Sequence, residues 1–167
     1  MNQMLSPKAA FRPYKQLVEK YPEAVPIILW GTANTAIPIQ VVSPDDWPAE
    51  ASLTDLYAHI ADGLIEKLGR PSWVIVSAEA WVGEVLSQDE LDEYRHGDLE
   101  KRARVNDASV QECVVITAVS RTDDWSYRVP FKRQEHRVRW GEPDTFTAEG
   151  GIADLLKHIV RHTEDST

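Results

Sequence analysis

The chain predicts an α+β fold, a two-layer domain in which helices cover one face of a mixed or antiparallel sheet. Three observations lead there. Residues 52–69 carry apolar side chains at spacings of three and four, between clear start and stop signals. Short runs rich in Val, Ile and Trp lie on either side of that segment, bounded by Pro, Gly and Asp. Two of those runs, 112–120 and 125–131, are joined by a tight turn that permits only antiparallel pairing. The chain has 167 residues, 43% hydrophobic and 27% charged, so one domain over 1–167 can bury a core without covalent staples.

The elements follow in order. Phe11, Tyr14, Leu17, Val18 and Tyr21 predict a first helix over 8–21, ended by Pro22 and Pro26. Ile27 to Trp30 reads as a strand, Gly31 to Thr35 as a turn, and Ile37 to Val42 as the returning strand. Pro38 has no N–H to give a ladder and places that strand at an edge or limits its pairing. Ser43-Pro44-Asp45-Asp46-Trp47-Pro48 is a loop by composition. Ser52 then caps a second helix, with Asp55 favouring its positive end. Its apolar face is Leu53, Leu56, Tyr57, Ile60, Ala61, Leu64, Ile65 and Leu68, and Gly69 and Pro71 stop it. Trp73 to Val82 opens on a short apolar run that suits a central, buried strand.

Residues 87–107 form a charged excursion, with a helix around Gln88 to Arg95. Glu112 to Ser120 and Trp125 to Phe131 pair as a hairpin around Thr122-Asp123-Asp124, and Arg137 to Trp140 adds a short strand. The last helix opens near Thr147 and presents Ile152, Leu155, Leu156, Ile159 and Val160; residues 163–167 fray.

The net charge of −9 is unevenly placed. Residues 1–100 carry 7 Lys and Arg against 16 Asp and Glu, whereas residues 101–167 carry 11 of each. An acidic surface repels phosphates at long range and favours solubility. The single cysteine, Cys113, permits no intrachain disulfide and reads as a small buried hydrophobe. No stretch is long enough for a membrane span and the first residues do not resemble a secretory signal, so the expected location is cytoplasmic.

Ser77-Ala78-Glu79-Ala80-Trp81 ends one strand, and Val110-Gln111-Glu112-Cys113-Val114-Val115-Ile116 leads into the hairpin. Over residues 73–132 this pattern resembles small uncharacterised proteins of bacteria and their phages with a Ser-Glu-Ala-Trp-like strand end, from which Ala78 is a departure. The resemblance implies a phage or mobile-element origin, and it brings no activity and no catalytic residue with it.

Four groups of residues carry chemistry worth testing. Glu79 and Glu112 each border an apolar strand; side by side, two carboxylates can bind a divalent cation or split their pKa values, the basis of a metal-dependent hydrolase reading. Asp154, His158 and His162 share a face of the last helix at metal-ligand spacing, though that stripe lies away from the apolar face and no metal is assigned to it. Asp55, His59, Asp62 and Glu66 form a wet acidic stripe on the second helix. In 125–140, Arg128, Lys132, Arg133, Arg137 and Arg139 oppose only Glu135, interleaved with Trp125, Tyr127, Phe131 and Trp140. That segment fits a single-stranded nucleic acid or RNA surface, an anchor for an acidic protein, or a basic hairpin neutralised internally beside the acidic first 100 residues. Trp47, flanked by Asp46 and Pro48, is a candidate interface residue.

There is no Walker A loop, dinucleotide-binding glycine pattern, HExxH, nucleophile elbow or CxxC, so no catalytic residue and no cofactor are assigned. The reading is a non-enzymatic interaction protein that binds a macromolecular partner or assembles with itself. Its candidate contacts are Trp47, Trp125, Arg128, Lys132, Arg133, Arg137, Arg139 and Trp140. A protein partner is expected, with nucleic acid as the alternative and no membrane.

Overall fold

The computed structural model describes residues 3–48, 51–83 and 110–161. The expected charged excursion at 87–107, His162 and the 163–167 tail lie outside the described residues. In chain order the elements are α1 (Pro7–Lys20), β1 (Ile27–Gly31), β2 (Ala36–Gln40), α2 (Leu53–Leu68), β3 (Trp73–Gly83), β4 (Val110–Ser120), β5 (Asp124–Gln134), β6 (Arg137–Trp140), β7 (Asp144–Phe146) and α3 (Gly151–Arg161). The sheet runs β2-β1-β3-β4-β5-β6, with β7 also on β5, and every pairing is antiparallel. The α+β class and the antiparallel sheet are those the sequence predicts.

Helix ends are set by local hydrogen bonds. The Ser6 hydroxyl accepts from the Ala9 N–H at 3.3 Å, and Pro7 occupies the first turn, where its missing N–H costs nothing. Ser52 and Asp55 form a reciprocal capping box: the Asp55 N–H donates to the Ser52 hydroxyl at 3.0 Å and the Ser52 N–H to the Asp55 carboxylate at 3.1 Å. Gly69, at φ 81°, closes α2 in a conformation that glycine adopts freely. Leu53 and Leu68, expected on the core face of α2, sit at its ends and are exposed.

The layering departs from expectation. Helices lie on both faces of the sheet, not one, giving three layers. On one face α1 contributes Ala10, Tyr14 and Val18 to a core with Trp73, Ile75, Val114, Ile116, Ala118, Tyr127, Val129 and Phe131. On the other, α2 and α3 bury Leu56, Tyr57, Ala61, Leu156, Ile159 and Val160 against Ile28, Trp30, Val74, Val76 and Val119. The reason is written in β3: Trp73 to Ser77 are all buried, so both alternating sets of side chains need cover. Burying each large aliphatic side chain contributes about 1.5–3 kcal/mol, which makes the second helical layer a large term.

Two features fix the outer strands. The Gly141 N–H donates to the Pro130 carbonyl at 2.8 Å. Between the β5–β6 and β5–β7 registers, residues 141–143 oppose only 129–130, one residue too many, so the outer strand bulges there. Pro130 lacks an N–H on this same edge, and the bulge falls where that donor is missing. At the other edge the Val41 N–H donates to the Pro26 carbonyl. The alternation from that bond turns the backbone groups of Ala36, Pro38 and Gln40 outward, placing Pro38 at the centre of the exposed edge.

Candidate interaction surface

Strand alternation sorts the segment 125–140 into two unlike surfaces. Trp125, Tyr127, Phe131, Val138 and Trp140 all point to the α1 face. Phe11 of α1 packs against Tyr127 and Trp140, with ring centroids 5.8 and 5.2 Å apart, and Trp140 donates its indole N–H to Glu19 of α1 at 3.2 Å. These aromatics therefore anchor a helix. The period of two puts Arg128, Lys132, Arg137 and Arg139 on the opposite face.

Of those four, Lys132, Arg137 and Arg139 are exposed and form no ion pair with any described residue. Lys132 and Arg139 stand directly opposite each other across the β5–β6 ladder, a like-charge pairing that works against the hairpin. Arg128 is half-buried and differs. Asp144 lies opposite it on β7, and its guanidinium sits 5.1 Å from the centroid of the exposed Phe146 ring.

Arg133 is the exception among the five cations. It points to the α1 face and pairs with Glu79, its neighbour Glu112 lying 3.7 Å away. It also donates to the Val18 and Tyr21 carbonyls at 3.4 and 3.3 Å, satisfying groups that the end of α1 leaves open. Glu79 accepts in addition from the Ala24 N–H at 3.3 Å. The structure thus brings Glu79 and Glu112 together, on neighbouring strands and one face, with an arginine as their counter-ion. Nearby, Tyr14 donates to the Ala24 and Val25 carbonyls, and burial first, then the Glu79 charge, raises its pKa.

The remaining candidates lie apart. Trp47 is half-buried on the α2 core, its ring 5.4 Å from that of His59, so it packs as much as it projects. Asp154 and His158 are exposed on α3. Among the described residues, no group of three or more His, Cys, Asp or Glu is placed to hold a metal ion. No helix among them is long and apolar enough to cross a membrane.

Sequence reasoning missed Arg161. At the end of α3 it donates to the Ser120 and Asp123 carbonyls at 2.9 and 3.1 Å and pairs with Asp124 at 3.0 Å, tying the helix to the β4–β5 turn. Its only sequence signal was a cation in the last helical turn. Comparison of the chain with protein-family models, with curated proteins and with solved structures gives no match.

Proposed function

We propose that this protein is a non-enzymatic binding protein, and that it holds a macromolecular partner through the side chains of Lys132, Arg137 and Arg139. The observation that carries this reading is that strand alternation gathers three exposed cations, none of them ion-paired with a described residue, on one patch of a chain whose net charge is −9. Like charges set opposite each other weaken the hairpin, and an anionic partner relieves that repulsion. Recognition by side chains also fits the sheet edges: β6 is four residues long, is followed by a bulge and is cationic, while β2 has Pro38 at its outward-facing centre. Such edges resist strand addition. Against the hydrolase reading, the Arg133 guanidinium already sits on the Glu79 carboxylate and close to that of Glu112, where a divalent cation would have to bind.

Native mass spectrometry of the protein taken from bacterial cytosol at low salt tests the proposal. A macromolecule retained by the wild-type chain and lost from the Arg137→Glu/Arg139→Glu variant is the expected result. Retention that the variant leaves unchanged, or a bound small substrate in place of a macromolecule, overturns it.

A further inference from the structure

We infer that the partner presents an extended acidic protein segment, with carboxylates at alternate positions, to the cationic face of the β5–β6 hairpin. The inference rests on the surface reading above and adds the chemistry of what binds there. Arg137 and Arg139 are two residues apart on one strand, so their side chains leave the sheet about 7 Å apart, and Lys132 faces Arg139 across the ladder. An extended peptide repeats its side chains on one face at that same spacing of about 7 Å. Two arginines in that row can each take a carboxylate through a paired hydrogen bond, and Lys132 adds a point charge beside them.

Nucleic acid has a comparable phosphate spacing, so the choice rests on two other observations. Single strands are held by stacking bases on exposed aromatic rings, and Trp125, Tyr127, Phe131 and Trp140 all face α1. Among the described residues, the exposed ring on the cationic side is that of Phe146, which carries the Arg128 guanidinium over it. The second observation is charge. A strand of nucleic acid continues its charge beyond three cations onto a protein of net −9, whereas a peptide segment brings only the few carboxylates that the patch can match.

Fluorescence anisotropy distinguishes the cases, using a labelled peptide of alternating Glu and Thr and a labelled oligothymidylate of equal length at low and physiological salt. The peptide should bind more tightly than the oligonucleotide. Arg137→Glu/Arg139→Glu should weaken it by roughly tenfold or more, and Arg121→Glu, an exposed charge reversal on the β4–β5 turn, should leave it within about twofold. Thermal melts of each variant establish that the fold is retained. Tighter oligonucleotide binding that the double variant abolishes overturns the acidic-segment assignment while the surface reading stands. No binding of either probe, or equal loss in Arg121→Glu, overturns both.

Discussion

Cys113 lies on β4 opposite Pro130 with 1% of its surface exposed, and burial pushes its thiol pKa from 9.0 up to about 11. Arg128 partly opposes that shift, while Glu112 and Asp144 add to it. The thiol is therefore neutral and shielded in the folded protein, as a small apolar side chain in a strand should be. The consequence for stability has a definite sign. Between pH 9 and 11 the unfolded chain releases this proton while the folded chain keeps it, so the folded state binds more protons and stability falls as pH rises. Below pH 9 the thiol contributes no slope. Tyr57 adds a second decline from pH 10, its pKa pushed up to about 12 by burial. Urea denaturation of the wild type should lose on the order of 1 kcal/mol per pH unit in the lower part of that window. The Cys113→Ala variant, though less stable at every pH, should show no decline until the tyrosines titrate.

Arg133 joins more elements than any other side chain discussed above, touching β3, β4 and the end of α1 from β5. Removing it takes away the guanidinium that Glu79 and Glu112 share and frees the α1 carbonyls. Arg133→Met is expected to destabilise the protein by about 1–3 kcal/mol, less than a fully buried ion pair because the arginine keeps about a quarter of its side chain exposed. Converting Glu79 and Glu112 to Gln in the same chain should recover part of the loss, because the repulsion goes with the charges. A double-mutant cycle by urea denaturation measures both effects, and additivity of the substitutions would refute the coupled cluster. A close approach at the other end of the sheet is equally local: a Cβ on Gly31 would fall 2.1 Å from the Trp73 indole, so only glycine lets β1 lie against that ring.

At the scale of the whole molecule, the two outer edges of the sheet formed by the described strands resist strand addition by different means, Pro38 on β2 and a bulge with arginines on β6 and its continuation. Restoring the missing donor should reopen one of them. Pro38→Thr is expected to increase concentration-dependent self-association, read by size-exclusion chromatography with light scattering, with little change in the monomer's melting temperature. An unchanged elution profile at high concentration would show that Pro38 does not guard that edge.

Apart from β7, the elements were legible because each is specified by neighbours in sequence. Apolar spacing and the Ser52 and Gly69 signals bound α2, the tight turn makes β4 and β5 a hairpin, and Pro38 assigns β2 to an edge. The cations of β5 and β6 were legible too, as residue types. What they do depends on which face each occupies, and that parity is set by strand register. One step in register separates Arg133, neutralised inside the fold, from Lys132, open to solvent. The sequence alone determined the class, the elements other than β7 and most of the candidate residues, because those follow from local propensity and periodicity. Only the tertiary structure decided that helices cover both faces, that the aromatics anchor α1 and that three cations share one exposed patch without an ion pair to any described residue, because these depend on contacts between residues tens of positions apart.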